Sequence, residues 1–161
     1  MSLIIDTLRT STITEELSDA EVDILAGLFE VQEYKDGEAI VQPGDDQPDN
    51  LYILAHGDLE VKIKSGAEET TIHVLKPGDL AGIITFVGGA ASDISATVSA
   101  VGKTKVLSLP RAKFETLVNS HPMIVYRVMR GVTRNVHGIA RRMNRESAEL
   151  TNYIYRSHGR Y

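Results

Sequence analysis

The hydrophobic pattern of the chain changes period twice. Near the N-terminus, Val22, Leu25, Ala26 and Phe29 recur at the spacing of one helix face. Ser18, Asp19, Ala20 and Glu21 ahead of them form a capping-box pattern, with Leu17 and Val22 placed to close a hydrophobic staple. From about Val31 to Leu109 the period becomes two. Leu59, Val61 and Ile63 alternate with Glu60, Lys62 and Lys64, and Ala96, Val98 and Ala100 with Ser95, Thr97 and Ser99. Such alternation marks strands buried on one face. Turn signals punctuate this stretch at Asp36-Gly37, Pro43-Gly44-Asp45, His56-Gly57-Asp58, Ser65-Gly66, Pro77-Gly78-Asp79 and Gly88-Gly89. No helical segment between them is long enough for a parallel crossover. The pattern therefore predicts a mainly β fold with flanking helices, an antiparallel sandwich, barrel or roll. After Leu109 the helical period returns. Residues 110–120 carry Phe114, Leu117 and Val118 on a short helix, and a long helix opens at Pro122 and runs to about Tyr155.

With 161 residues and no linker-like tract, the chain is expected to form a single domain over 1–161. Its parts are an N-terminal helical segment 1–30 with its helix from about Ser18, a β region 31–109, a short helix 110–120 and a long helix 121–157. The absence of cysteine excludes disulfides, thiolate catalysis and Cys-ligated zinc or iron–sulfur centres. No apolar run reaches membrane-spanning length and no signal pattern opens the chain, so the expected location is the cytoplasm, away from membranes. The net charge of −5 is unevenly spread. Residues 121–161 hold eight Arg and no Lys against two Glu, a net +6; residues 1–120 hold nine Lys and Arg against twenty Asp and Glu, a net −11. A basic tail on an acidic body either contacts nucleic acid or pairs with that body inside one fold; the second is expected.

The order of several short motifs resembles the cyclic nucleotide-binding domain family, the effector domain of catabolite-activator and FNR-type regulators and of kinase regulatory subunits. The matching stretches are Tyr34 to Ile40 around Gly37, Gly44-Asp45, Asn50 to Gly57 with Tyr52, Leu75 to Gly82 with Pro77-Gly78-Asp79, Ala96 to Ala100, and the short helix at Phe114 and Leu117. The resemblance covers about residues 18–155. It implies an antiparallel β-roll of the double-stranded β-helix or jelly-roll type, a regulatory role in signalling, and a ligand pocket at the family's phosphate-binding cassette. That pocket falls on Gly82, Ile83, Ile84, Thr85, Phe86, Ile94, Ser95, Ala96 and Thr97. In the family the cassette supplies a Glu to the ribose and an Arg to the cyclic phosphate. Here those positions are Ile83 and Ile94, and no Arg stands anywhere between Arg9 and Arg111. Losing a charge-assisted bond of about 1.5–3 kcal/mol weakens binding by up to roughly a hundredfold. The cassette is therefore read as degenerate, with no cofactor expected and ordinary cyclic AMP or GMP binding disfavoured. Amides near Gly82 and a nest at Gly88-Gly89 are the anion-binding elements left. Two readings of the roll stay open: a pocket for an apolar or uncharged small-molecule effector, or a filled roll in an adaptor that binds a protein partner. A cyclic nucleotide binder with a non-standard site is a third.

Catalytic and metal chemistry are not expected. A cupin-type metal site needs a His-x-His pair, whereas His56 and His73 stand alone. Asp45, Asp46 and Asp49 share a loop but lack the ligand ladder of a calcium site.

The long helix carries Met129, Val132, Val136, Ile139, Met143, Glu146, Leu150 and Tyr153 at alternating steps of three and four. This seam, polar only at Glu146, is expected to form a homodimer of parallel helices, the alternative being a helix packed on its own roll. Gly131 and Gly138 are expected where backbones approach closely. Arg127, Arg134 and Arg141 repeat every seven residues on the opposite face. With the chain ending at Tyr161, no helix-turn-helix is expected after the long helix and no sequence-specific DNA binding.

Overall fold

A computed structural model describes residues 2–44, 48–90 and 94–158. The expected β-roll is present, antiparallel throughout, with helices before and after it. Its strands are β1 (Glu30–Tyr34), β2 (Ala39–Val41), β3 (Asn50–Ser65), β4 (Glu68–Leu75), β5 (Leu80–Ala81) and β6 (Thr97–Pro110). They are ordered β1-β6-β3-β4, with β2 also pairing β6 and β5 pairing β3.

Two strands, β3 and β6, make the roll. The His56-Gly57-Asp58 turn expected from the sequence does not exist: Gly57 lies inside the 16-residue β3. It takes φ of +93°, and pairing with β6 shifts register on both sides of His56. A Cβ there would meet Lys103 O at 2.8 Å. Opposite it on β6, Gly102 takes φ of +68°. The paired strands thus bend together at a bulge. The extra residue also reverses the alternation. Tyr52 and Leu54 face the roll interior before it, Leu59 and Val61 after it, an odd number of residues apart.

Period-two alternation divides the apolar residues of β3 and β6 between two cores. Tyr52, Leu54 and Val106 fill the roll interior with Ile40, Leu59, Leu75, Ile94, Val98 and Ala100. Leu51, Ile53, Leu107 and Leu109 point the other way, to the helices. Residues 50–54 are consequently buried on both faces.

The helical side holds α1 (Ser2–Arg9), a 3₁₀ turn (Thr12–Thr14), α2 (Asp19–Ala26), α3 (Ile83–Phe86), α4 (Arg111–Glu115), α5 (Leu117–Ser120) and α6 (Pro122–His158). The capping box of α2 forms as expected: Glu21 N donates to Ser18 Oγ and Ser18 N to Glu21 Oε1. Val22, Leu25, Ala26 and Phe29 are buried. The helix α1 precedes the expected start at Ser18. It is held by Ile4 and Leu8 in the helical core. Thr14 Oγ1 donates to Leu8 O and ties the 3₁₀ turn to the end of α1.

The acidic N-terminal body and the basic helix meet. Arg127 Nη1 donates to Glu21 Oε1 at 3.0 Å and Arg130 Nε to Glu16 Oε2 at 2.9 Å; Arg134 reaches Glu15 and Glu16 at 3.3 and 3.4 Å. The Arg130 hydrogen bond holds the Glu16 carboxyl below its ordinary value of 4.5, and the Ser18 amide does the same for Glu21, with Arg127 adding to it. Depressed carboxylates stabilise the fold above their unfolded pKa, and that stability is lost as pH falls through the folded value. The melting temperature should therefore drop as pH goes from about 5 to 3. The drop should be smaller in Arg130→Ala and in molar salt, which screens these exposed groups. Identical acid profiles for Arg130→Ala and the parent protein would show that the pairs contribute nothing.

Candidate functional site

The segment expected to bind ligand begins at Gly82, the N-cap of α3, with φ of +76°. A Cβ there would lie 2.5 Å from Asn50 O and 3.0 Å from the Tyr52 ring, so the position admits glycine alone. The four residues of α3 diverge. Thr85 and Phe86 are buried, Phe86 against Phe114, while Ile83 is half-buried at the helical core and Ile84 is exposed. Ile94 sits in the roll interior, 9% exposed, packed with Val98 and Tyr52. Ser95 and Thr97 line a separate 440 Å³ groove with Lys62 and Lys64, and Ala96 is half-buried. The nine expected pocket residues thus face three different environments. The amides of Gly88 and Gly89 donate to Thr85 O and Ile84 O, so the nest expected there is spent on closing α3. Asp45 and Asp46 lie outside the described residues. Asp49 pairs with Arg111 at 3.0 Å, and Arg111 Nη1 donates to Thr85 O at 3.2 Å. Sequence reasoning passed over Arg111, which locks α3 to the start of β3.

A cleft of about 740 Å³ opens instead between the roll and α6. Val61, Ile63, Leu75, Leu80, Ala81 and Val98 form its roll side, and Gly138, Ile139 and Met143 its helix side. Neither Ile83 nor Ile94 lines it. The polar groups are few. Arg142 Nη1 donates to His73 Nε2 at 2.9 Å, and burial, then the Arg142 charge, lowers the His73 pKa and keeps the ring a neutral acceptor. Arg134 and Asn135 complete the helix side, with Arg134 Nε and Asn135 Oδ1 buried and without a hydrogen-bond partner among the described residues. Deeper in the roll, burial pushes the Tyr34 hydroxyl up to about 12 and raises Tyr52 as well, so both stay neutral.

The long helix corrects the expected seam. Val132 is 2% exposed and belongs to the helical core with Ile13, so it cannot face a second chain. Ile139 lines the cleft and Met129 is half-buried. Two alternate positions of the seam, Val132 and Ile139, therefore turn toward the rest of the protein's own fold. Val136, Met143, Leu150 and Tyr153 remain exposed, and so do Thr133, Ala140, Ser147 and Ile154. Gly131 does mark a close approach, to the 3₁₀ turn; Gly138 has nothing near its missing Cβ. The pairing of Arg127 and Arg134 with glutamates leaves Arg141 alone of the heptad arginines exposed.

Among the described residues, no helix is long and apolar enough to cross a membrane. The family model described as cyclic nucleotide-binding domain matches residues 31–121. The HTH-type transcriptional regulator Cmr of Mycobacterium tuberculosis is 30% identical over 116 residues, which are 72% of this chain and 46% of that protein. The cyclic AMP receptor protein of Thermus thermophilus is 28% identical, covering 74% of this chain and 54% of that one. This chain thus spans about half the length of the curated relatives it matches. Among solved structures, the catabolite activator protein of Thermus thermophilus superposes with a TM-score of 0.68 at 26% identity, covering 90% of this chain and 64% of that one. A cyclic nucleotide-binding domain from Methylobacillus flagellatus gives 0.76 at 19% identity, over 88% of this chain and 78% of that one.

Proposed function

Because this chain belongs to the cyclic nucleotide-binding domain family, we propose that it is a non-catalytic regulatory module whose effector site is the cleft between the roll and α6, and whose effector is not a cyclic nucleotide. The observation that carries this reading is the 740 Å³ cleft with an apolar lining, a size that suits a small organic ligand. The position where the family places its phosphate-pairing Arg is Ile94, packed in the roll core. A cyclic phosphate brought beside it would be desolvated without a counter-charge.

The same reading makes the module a homodimer. Met129, Thr133, Val136, Ala140, Met143, Ser147, Leu150 and Ile154 follow the 4-3 spacing of a coiled-coil seam, displaced by one residue at every second position from the seam expected at first. Small residues at three of those positions let two helices approach closely. The pairing of Arg127, Arg130 and Arg134 within the fold supports the expectation that α6 is not a sequence-reading DNA surface.

Millimolar cyclic AMP or cyclic GMP should leave the melting temperature unchanged. A ligand at 100 times its dissociation constant stabilises by about 2.7 kcal/mol, which a thermal melt resolves easily. A rise of several degrees with either nucleotide would overturn the exclusion of cyclic nucleotides.

A further inference from the structure

The polar groups of the cleft are unequally satisfied, and this points to the chemistry of its ligand. Two guanidinium groups, Arg134 and Arg142, face a cleft whose walls are largely apolar. Arg134 is partly neutralised by Glu15 and Glu16, yet its Nε is buried with no acceptor among the described residues. Arg142 spends a hydrogen bond at 2.9 Å on His73, which carries no charge to offset it. Two carboxylates also line the cleft. Asp79 Oδ2 accepts from the Lys76 amide at 2.9 Å, and Glu146 stands at the rim, 63% exposed and 3.8 Å from Arg142 Nε. Arg142 therefore has a neutral ring as its near acceptor, and its ion pair with the exposed Glu146 is a long one at 3.8 Å. Guanidinium is the side chain best shaped to take a carboxylate with two parallel hydrogen bonds.

Resting on the reading of this cleft as the effector site, we propose that its ligand is an amphipathic monocarboxylate, with the carboxylate on Arg142 and an uncharged hydrocarbon body along Val61, Leu75, Leu80 and Ile139. Exchanging His73 for a carboxylate turns a neutral hydrogen bond of Arg142 into a charge-assisted pair in a partly desolvated place. The aliphatic walls offer no hydrogen bonds to a sugar, and the nearby Asp79 and Glu146 disfavour a dianion. The proposal places the anion on the helix wall of the cleft, so occupancy acts directly on α6.

The test uses decanoate and the matched neutral probe decanol, titrated into protein labelled at its methionine methyls. Met143 lines the cleft, whereas Met123 does not. Decanoate should shift the Met143 methyl saturably while Met123 stays still, and decanol should bind roughly tenfold or more weakly. Arg142→Gln should weaken decanoate by roughly ten- to a hundredfold and leave decanol unaffected. Arg141→Gln, one residue away and exposed, should change neither. Equal binding of the two probes, or an Arg142→Gln variant that holds decanoate as well as the parent, would overturn the carboxylate assignment and leave the cleft reading standing. A Met143 methyl that neither probe moves would overturn both the assignment and the reading of the cleft as the effector site.

Discussion

Gly131→Ala should lower the melting temperature by about 4–8 °C, while Gly138→Ala, two turns further along the same helix, should raise it by about 2–4 °C. Both changes gain about 1 kcal/mol of helix propensity. Their surroundings decide the sign. At Gly131 the new Cβ would lie 2.5 Å from Thr12 O and 2.6 Å from Ile13 Cα. Those are backbone atoms of a turn pinned to α1 by Thr14, so the helix itself must move away. Val128 and Val132 would be pulled from the core with it. Overpacking of this kind costs about 1–3 kcal/mol or more, and a net loss of about 2 kcal/mol in a chain of this size corresponds to that fall in melting temperature. At Gly138 the added methyl meets nothing within 4 Å. Thermal melts of both variants at one protein concentration settle the question. Two increases of similar size would mean that α6 does not rest on the 3₁₀ turn.

Val136→Asp should convert the protein from a dimer to a monomer. Val136 is 44% exposed and is the third of the eight positions of the stripe from Met129 to Ile154. Across a two-fold axis the substitution would set two carboxylates close together in an apolar seam, with neither desolvation nor repulsion offset by a cation. Ile139→Asp is the instructive companion. Ile139 faces the cleft, so this variant should keep the dimer while losing ligands of the cleft. Sedimentation should give about twice 17.6 kDa for the parent and for Ile139→Asp, and 17.6 kDa for Val136→Asp with its β signal retained. A monomeric parent would remove the homodimer. A dimeric Val136→Asp would move the interface to another surface.

Much of the architecture was legible because local chemistry agrees with it. The capping box at Ser18 and Glu21, the face from Val22 to Phe29 and the stop before Pro122 are all decided within about two helical turns. Gly57 was misread for an equally local reason. A bulge and a turn both want a glycine with positive φ between alternating stretches, and only the cross-strand partner tells them apart. The seam is a different case: a heptad shows which positions are apolar, but not which of two faces a neighbouring core will claim. Val132 fits a dimer and a core equally well, and it is Ile13, far away in sequence, that takes it. The cleft was the least legible part. Arg142 and His73 are 69 residues apart, and no spacing rule joins a helix arginine to a strand histidine. The cassette pattern points to Ile83 and Ile94, whereas the open volume lies beside Ala81, Val98 and the helix.

The seating of Gly131 on the 3₁₀ turn has a mechanical consequence. A helix advances about 1.5 Å per residue, so Ile139 stands roughly 12 Å beyond that seat and His158 roughly 40 Å beyond it. With the seat as fulcrum, α6 is a lever with a gain of about three. An outward push of 1 Å on the cleft wall would swing the far end by about 3 Å. A ligand that fills a small fraction of the cleft would thus produce a displacement large enough for a partner to read, and the amplification lies in where the fulcrum sits rather than in how tightly the ligand is held.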